Sequence, residues 1–275
     1  MQLFSAAPEP PPTNANFILA LKLHPIERIV AVLAWWREDA VVKFQIARKP
    51  GLLANDAAAT LVPAMEAMPG FGAENLKYAQ LLAENQEVAP WLARRGYQPQ
   101  HTEHIFELPL STAFDRVGAL LARYSTEMPG SWTTEPIRLH SPEVVWPLIA
   151  PFRLIRFESL QSLWSAPGER GFHPELSNIL FDAGTPLGVL LVRTDHDHLV
   201  IDIRVVKPMA LQLRSLANLA FFGHWRLVTP TTWRVIRFRG DEVEHRETAN
   251  LARRMGGRQV AVRHIYTRHG SSPGP

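Results

Sequence analysis

The chain has 275 residues, of which 46% are hydrophobic and 20% are charged, and its formal net charge at pH 7 is +3. This composition provides enough apolar material for two ordinary domains and excludes an intrinsically disordered protein. The chain has no cysteine, which excludes disulfides, thiolate metal sites and a thiol nucleophile, and which fits a cytoplasmic location.

The ends of the sequence predict tails rather than targeting or membrane segments. Residues 1–15 are rich in proline and lack the basic and apolar regions of a signal peptide. Residues 269–275 are likewise predicted to be a tail. No apolar run reaches the roughly 18 residues that a transmembrane helix needs, so we expect a soluble protein with no membrane partner.

The charge of the chain is concentrated toward its C-terminus. Residues 201–268 contain 13 Lys and Arg against 5 Asp and Glu, which favours an anionic partner for this region, such as a nucleotide phosphate. A solvated basic face is the alternative. The arginine-rich segment 234–239 is accompanied by no nucleic-acid-binding motif, so a nucleic acid is the less favoured partner.

The first half of the chain is predicted to alternate strands and helices. Runs of β-branched and aromatic residues predict the strands, Pro50-Gly51 stops the third of them, and Gly96 is placed as the residue just after a helix. The predicted strands are 17–23, 28–36, 40–47, 76–82 and 104–110, and the predicted helices are about 55–68 and 85–96.

The second half repeats this order after a linking helix at 111–124. Its strand 199–206 stops before Pro208, and a later helix ends at Gly256-Gly257. Strands are predicted at 136–140, 177–181, 187–193, 199–206, 232–238 and 259–267. One helix is predicted to start near Ser141, and others are predicted at 154–164, 211–222 and 243–255.

The repeated order indicates two domains of about 100 residues each rather than a solenoid. We expect an α/β fold of two tandem domains, with mixed, mostly antiparallel sheets flanked by helices. The expected boundaries are a tail at 1–15, a first domain at 16–111, a linking helix and loop at 112–134, a second domain at 135–268 and a tail at 269–275.

The segment after strand 199–206 resembles the phosphate-binding loop of the GNAT superfamily of acyl-CoA-dependent N-acyltransferases. That loop has the form (Arg/Gln)-x-x-Gly-x-(Gly/Ala); here Gln212 and Ala217 match it, and Ser215 replaces the central glycine. The resemblance implies that acetyl-CoA is the co-substrate and that its pyrophosphate binds at Gln212, Leu213, Arg214, Ser215 and Ala217.

Physical chemistry supports a phosphate at the same place. A helix start presents unpaired N–H groups, and Arg214 and Ser215 add donors. The alternative is a buried amphipathic helix that merely begins with polar residues.

A later helix in each half also follows the family pattern, with one difference. The superfamily usually has a tyrosine there that protonates the leaving thiolate, whereas Leu92 and Ala252 occupy the corresponding positions. The first half also has no arginine in its strand-to-helix loop and has Asp56 at the helix start, where a carboxylate would repel a pyrophosphate. We therefore interpret the first half as a degenerate copy.

The resemblance implies where the chemistry of the second half would lie. A backbone N–H near Val205 or Val206 would polarise the thioester carbonyl. Asp202 is the candidate base, unless it pairs with Arg204 on the same strand face, and His245 or Tyr266 is the candidate acid.

The four residues 195–198 (Asp-His-Asp-His) contain metal-ligand types, but a solvated turn is the favoured interpretation, so we expect no metal.

Two functions remain open from the sequence. One is an N-acyltransferase that moves an acetyl group from acetyl-CoA to an amine-bearing small molecule or peptide. The other is a non-catalytic module that binds CoA or a protein. The sequence leaves a homodimer open.

Overall fold

The computed structural model of the protein describes residues 17–23, 28–38, 41–48, 54–68, 75–81, 88–152, 154–228, 233–241 and 246–268. Contacts between Cα atoms divide the chain into two compact units. Among the described residues, the first unit comprises those up to Ile105 with Asp241 and 259–268, and the second comprises 106–240 and 246–258.

The first unit is a mixed sheet with two helices. Its strands are β1 (Phe17–Leu23), β2 (Arg28–Glu38), β3 (Val41–Arg48), β4 (Asn75–Leu81), the first part of β5 (Gln98–Pro109) and nearly all of β11 (Arg258–Arg268), and its helices are α1 (Ala54–Glu66) and α2 (Val88–Arg94). The strand order is β1-β2-β3-β4-β11-β5. Only β3 and β4 are parallel among the pairs whose register is described, and α1 connects them.

The core of the first unit lies between its sheet and α1 and α2. Phe44 of β3, Met65 of α1 and Leu92 of α2 are fully buried together. Beside this core, the carboxylate of Glu66 accepts a hydrogen bond from the Tyr97 hydroxyl at 2.8 Å and lies 2.9 Å from Nη1 of Arg268. Arg95 also pairs with Glu66. Burial raises the pKa of Tyr97 well above its usual range, and the Glu66 charge adds to this.

The second unit is a mixed sheet with helices on both faces. Its strands are the end of β5, β6 (Trp132–Pro136), β7 (Asn178–Asp182), β8 (Thr185–Asp195), β9 (His198–Val206) and β10 (Val235–Asp241), and its helices are α3 (Leu110–Tyr124), α4 (Pro142–Ile149), α5 (Phe157–Ser165), α6 (Leu211–Val228) and α7 (Arg246–Arg254). The strand order is β5-β10-β9-β8-β7-β6. β9 and β10 are parallel, and α6 connects them.

Two separate cores cover the two faces of this sheet. One lies under α3, α6 and α7 and includes Val117, Trp225 and Ala252, and the other lies under α4 and α5 and includes Leu148 and Leu160. The strands contribute alternate side chains to the two cores, as a sheet buried on both faces requires.

The two units do not coincide with the two stretches of the sequence repeat. β11 closes the second half of the sequence, yet residues 259–268 belong to the first unit, where β11 pairs antiparallel with β4. Conversely, residues 106–109 close the first half of the repeat and belong to the second unit. Each unit is therefore completed by the last strand of the other half.

Most predicted elements are present with shifted ends, and the mixed, mostly antiparallel sheets flanked by helices confirm the expected fold class. The strand predicted at 136–140 is wrong: β6 ends at Pro136, and Ile137–Leu139 is a 3-10 helix. The proline supplies extended geometry only to its own residue, and Ile137 turns into the core. No helix among the described residues is both long enough and apolar enough to cross a bilayer.

Candidate active site

The parallel strands β9 and β10 of the second unit separate part-way along their length. Residues 198–201 pair with residues 235–238, whereas β9 continues to Val206 and β10 continues to Asp241. Within the described residues, the register between the two strands stops at Ile201. The peptide groups of β9 beyond that point, on the edge toward β10, are therefore available to a ligand rather than to a strand ladder.

A buried arginine holds the strands together at the other end. Arg237 of β10, whose side chain is only 6% exposed, donates from Nε and Nη2 to Oε1 of Glu107 at 3.1 and 2.7 Å. Its Nη1 lies 3.6 Å from Asp195, and His198 Nε2 lies 3.5 Å from Glu107. Because removing any partner would leave a buried charge uncompensated, these contacts fix the paired end.

A β-bulge lies where the pairing between β9 and β10 stops. On the other side of β9, Leu191 of β8 is opposite Ile203 and the next residue, Val192, is opposite Ile201. Asp202 is therefore the additional residue of the bulge, with no residue opposite it. A bulge bends its strand and increases the local twist, and this one lies at the point where β9 leaves β10.

The side chain of Asp202 pairs with Arg193 of β8, not with Arg204. Arg193 donates to both carboxylate oxygens, at 3.0 Å for the Nη2 to Oδ1 bond, and the Asp202 side chain is 12% exposed. Arg204 instead donates to Asn218 of α6 at 3.0 Å. Regular alternation would put Asp202 and Arg204 on one face of the strand. The alternative that Asp202 pairs with Arg204 is wrong because the bulge breaks this alternation.

The first turn of α6 begins five residues after the last residue of β9. The N–H of Arg214 donates to the carbonyl of Ala210 at 3.0 Å, so the amides of residues 211–213 precede the first bond of this type in the helix. The Arg214 guanidinium folds back to the carbonyl of Met209 at 3.3 Å. The N-terminal end of this helix therefore offers amide donors beside two cations, Arg214 and the exposed Lys207.

The stretch predicted as a phosphate-binding loop, Gln212 to Ala217, is part of α6 itself. Gln212 donates to Glu127 at 3.0 Å, and the Ser215 hydroxyl donates to the Leu211 carbonyl at 3.0 Å inside the helix. Ala217 is fully buried in the core, and its contact with a phosphate stays a prediction. The stretch contains no glycine to interrupt a helix, and leucine, alanine and arginine favour one.

Val205 and Val206, the predicted thioester-polarising positions, lie in the part of β9 that pairs with β8 but has no β10 partner in the described register. Val205 is 5% exposed and packs in the core under α4, while Val206 lies opposite Gly188 of β8. A Cβ on Gly188 would lie 2.9 Å from the Val205 carbonyl oxygen and 3.1 Å from Phe221. The strands approach so closely here that only glycine fits without movement.

Neither of the two positions that correspond to the family tyrosine carries an ionisable group. Leu92 and Ala252 are both fully buried. Each accepts, through its carbonyl, the N–H of the residue after a left-handed glycine: Tyr97 after Gly96 in the first unit and Gly257 after Gly256 in the second. Both helices thus end in the same Schellman arrangement, which confirms the predicted helix ends at the two glycines.

The other candidate acids are not part of this constellation. His245 lies outside the described residues. Tyr266 belongs to the first unit, where it packs against the core and burial raises its pKa.

The turn between β8 and β9 is occupied by ion pairs. His196 is largely exposed with φ at 53°, and Asp197 lies 2.8 Å from His198 Nδ1. In the part of the chain that the structure describes, no three His, Asp or Glu side chains are placed to hold a metal ion.

Sequence reasoning missed the bulge at Asp202 and the Arg193 partner. The segment 201–205 alternates apolar and polar residues across Asp202, which is the pattern of a regular strand, so no signal indicated the additional residue. The Arg237–Glu107 pair joins residues that are 130 positions apart, which no local pattern connects.

Comparisons with known proteins show which solved structures share this fold. No family model and no curated protein matches the chain. A GCN5-related N-acetyltransferase from Sphaerobacter thermophilus superposes with a TM-score of 0.63 at 17% identity, over 91% of this chain and 80% of that one. A GCN5-related N-acetyltransferase from Kribbella flavida gives 0.56 at 12% identity, over 89% and 87%. A tandem GNAT protein from the clavulanic acid biosynthesis pathway gives 0.56 at 16% identity, over 90% and 81%.

These identities are too low to carry an activity across, and what they show is a shared fold. The superpositions cover about nine tenths of the chain, so they include both halves. The chain therefore has the fold of the GCN5-related N-acetyltransferase superfamily, as two GNAT-like halves in tandem.

Proposed function

We propose that the protein is an acyl-CoA-dependent N-acyltransferase whose reaction takes place in the second unit. Acetyl-CoA is the simplest donor, and the acceptor is an amine of a small molecule or a peptide. The observation that carries the proposal is the bulge at Asp202, where β9 leaves β10 just before α6 begins. The superfamily fold supports this proposal by analogy.

The unpaired edge of β9 suits the acyl end of the donor. A thioester inserted between the strands would present its carbonyl oxygen to a backbone N–H of the segment 203–206, which has no β10 partner in the described register. Such a donor stabilises the oxyanion that forms when the carbonyl is attacked. Val205 and Val206 belong to this segment and remain the proposed donors.

The start of α6 suits the phosphate end. One helical turn and the loop before it contain several groups that attract a phosphate. These are the N–H groups of residues 211–213, the Arg214 guanidinium and the Lys207 ammonium. The bond from Gln212 to Glu127 would have to open if Gln212 contacts the pyrophosphate, because Glu127 brings a carboxylate to the same place. Ser215 lies one turn further on, and its hydroxyl would contact a phosphate only by leaving the Leu211 carbonyl.

The chemistry is aminolysis of a thioester. The amine nitrogen bonds to the thioester carbonyl carbon, the carbon–sulfur bond breaks, and the electron pair leaves with sulfur as a thiolate. The nitrogen loses one proton to a base. Because a simple thiol has a pKa of about 8.5, the thiolate can depart and take its proton from water, so the buried Leu92 and Ala252 do not prevent the reaction.

Asp202 is the proposed base, acting directly or through a water molecule. Its carboxylate is at the bulge, but both oxygens accept hydrogen bonds from Arg193. Proton transfer therefore requires Arg193 to shift, or it uses the remaining lone pairs of the carboxylate. His245 remains the proposed acid for the departing thiolate.

The second candidate function is a CoA-binding module without turnover. The observation that favours it is the pair of hydrogen bonds that Arg193 donates to Asp202, the only carboxylate on β9. Both oxygens of the proposed base are therefore hydrogen-bonded already. This module would bind acetyl-CoA as the enzyme does, but it would release no thiol when amines are added.

The first test is binding of acetyl-CoA to the full chain, measured by calorimetric titration and by the melting temperature. A ligand that binds only the folded state raises that temperature. We expect Arg214→Ala to weaken binding by about 1–3 kcal/mol, the scale of a hydrogen bond to a charged group. The matched control is Arg123→Ala, which removes an exposed arginine near the end of α3.

The outcomes separate the candidates. Acetyl-CoA binding followed by acceptor-dependent thiol release, across a panel of amines and peptide N-termini, supports the enzyme. Binding without such release supports the module. If millimolar acetyl-CoA neither binds nor raises the melting temperature, or if Arg123→Ala weakens binding as much as Arg214→Ala does, the proposed donor site is wrong.

A further inference from the structure

A cavity of about 610 Å³ opens beside the middle and the end of α6, within the second unit. Its walls are mainly apolar side chains from three other elements: Leu121 of α3, Trp132 at the start of β6 and Leu180 of β7. Ala220 of α6 forms part of its wall. This volume is within the range of about 300–1,000 Å³ that holds small organic ligands.

The polar part of the lining is small and carries positive charge. Among the described residues that line the cavity, Thr134, His224 and Arg226 are polar and none is acidic. His224 Nε2 lies 3.2 Å from the Glu175 carbonyl oxygen, so that nitrogen carries the proton and Nδ1 is the nitrogen left for a ligand. Arg226 provides the one permanent charge of the lining.

The position of the Arg226 guanidinium depends on a glycine of the neighbouring helix. A Cβ on Gly118 of α3 would lie 2.9 Å from Nη1 of Arg226 and 3.0 Å from its Cζ and Nη2. The guanidinium therefore rests against α3 at Gly118, and a side chain at this position would require the guanidinium to shift. This contact holds a flat, bidentate donor at an apolar cavity.

The cavity is distinct from the proposed donor site. Arg214 is in the first turn of α6, and His224 is ten residues further along the same helix, which corresponds to about 15 Å along its axis. None of the residues from β9 or β10 lines the cavity.

We propose that this cavity binds a medium-chain alkyl carboxylate, with the chain between Leu121, Trp132 and Leu180 and the carboxylate on Arg226. Apolar walls favour the hydrocarbon chain by the area that they remove from water. The lone charge, with no acidic neighbour in the lining, selects an anion over a neutral or cationic molecule of the same length.

The test is calorimetric titration of the full chain with decanoate and, as a matched uncharged probe, decanol. We expect decanoate to bind more tightly than decanol, and Arg226→Gln to weaken decanoate roughly tenfold while leaving decanol unchanged, which corresponds to about 1.4 kcal/mol. Ala220→Phe should block both probes by filling the cavity. The matched control is Ala122→Phe, because Ala122 is an exposed residue of α3.

Three results would overturn the proposal: no binding of decanoate at millimolar concentration, unchanged binding in Arg226→Gln, or displacement of decanoate by saturating acetyl-CoA. The last would put the probe in the donor site. If Ala220→Phe does not fold, Arg226→Gln still decides, since it changes only an exposed side chain. The decanoate titrations of the wild type and of Arg226→Gln contain no acetyl-CoA, so their results do not depend on whether the acyltransferase proposal holds.

Discussion

Each unit contains a parallel strand pair that opens, but only one of the two has a bulge at the opening. In the first unit, residues 41–44 of β3 pair with 75–78 of β4, and β3 continues to Arg48. In the second unit, residues 198–201 of β9 pair with 235–238 of β10 in the same way. Four paired residues followed by divergence is therefore a property of both halves.

The other edge of these strands differs. The pairing of β3 with β2 keeps one register from Val41 to Arg48, whereas the pairing of β9 with β8 shifts at Asp202. The residue just after the paired segment is Gln45 in the first unit and Asp202 in the second. The divergence follows from the crossover itself, and the bulge is a separate feature, so the two halves share a fold and differ in the feature that a reaction site would use.

The largest expected effect is on turnover. If the second unit is an acyltransferase with Asp202 as base, Asp202→Asn should lower the rate of thiol release by about 10²–10⁴, the usual contribution of a positioned base. The first-unit counterpart Gln45→Met should leave this rate unchanged. The measurement is acceptor-dependent thiol release from acetyl-CoA, with acetyl-CoA affinity measured in parallel.

A different result would assign Asp202 a structural role. In this result, Asp202→Asn loses acetyl-CoA affinity and folding stability to the same extent as it loses turnover, and Arg193→Met does the same. That result would mark Asp202 and Arg193 as a structural ion pair. A rate loss in Gln45→Met as large as that in Asp202→Asn would remove the distinction between the two units.

A smaller effect is expected on stability from Gly188→Ala. The added Cβ would lie 2.9 Å from the Val205 carbonyl oxygen and 3.1 Å from Phe221, so the strand or the ring must move, at a cost of about 1–3 kcal/mol of unfolding free energy. Because β9 carries the bulge, acetyl-CoA affinity should fall too. Denaturant unfolding measures the first quantity, and calorimetry measures the second.

The control for Gly188→Ala is Gly184→Ala. Gly184 lies in the turn before β8 at φ 80°, where nothing lies within 4 Å of an added Cβ. That variant should cost stability through backbone strain alone and should leave acetyl-CoA affinity unchanged. Equal affinity losses in both variants would contradict the role assigned to the close approach at β9.

Alkaline pH should weaken the first unit through Tyr97. Its pKa is raised by burial and by Glu66, so the unfolded chain loses this proton near pH 10 while the folded chain keeps it. Stability from this group is intact below pH 10 and falls above it by up to about 1.4 kcal/mol per pH unit. Tyr97→Phe should flatten this slope in denaturant unfolding; an unchanged slope would show that Tyr97 is not its source.

The smallest expected effect is at acid pH and involves one histidine of each unit. Burial lowers the pKa of both His173 and His264. The unfolded chain therefore takes up these protons first as the pH falls below about 6.5, so stability is present above that pH and decreases below it. His173→Gln and His264→Gln should each reduce the decrease between pH 6.5 and 5; a variant with the unaltered slope would contradict its assignment.

The fold was accessible from the sequence where local signals are strong. The glycines at 96 and 256 adopt the left-handed conformation that ends their helices, and Pro208 follows the end of β9 as predicted. These are single-residue constraints on the backbone, so they can be read without tertiary information.

The details of the candidate site were less accessible. The bulge at Asp202 is invisible because alternation continues through it, and Gln212 and Ala217 match a loop motif while forming helix. Both errors have one cause: register and the start of a helix depend on partners elsewhere in the chain. Arg193, the partner of Asp202, could be found only once the register was known.

The last strand of the chain, β11, belongs to the first unit, and this constrains when that unit can fold during synthesis. β4 lies next to β11 in the first unit, yet the ribosome makes β11 roughly 180 residues after β4, which at ordinary elongation rates is a delay of about 9–35 s. Throughout that interval the edge of β4 has no native partner. A nascent chain of this protein should therefore remain a client of chaperones until its last strand emerges, and it should tolerate fusion at its N-terminus better than truncation at its C-terminus.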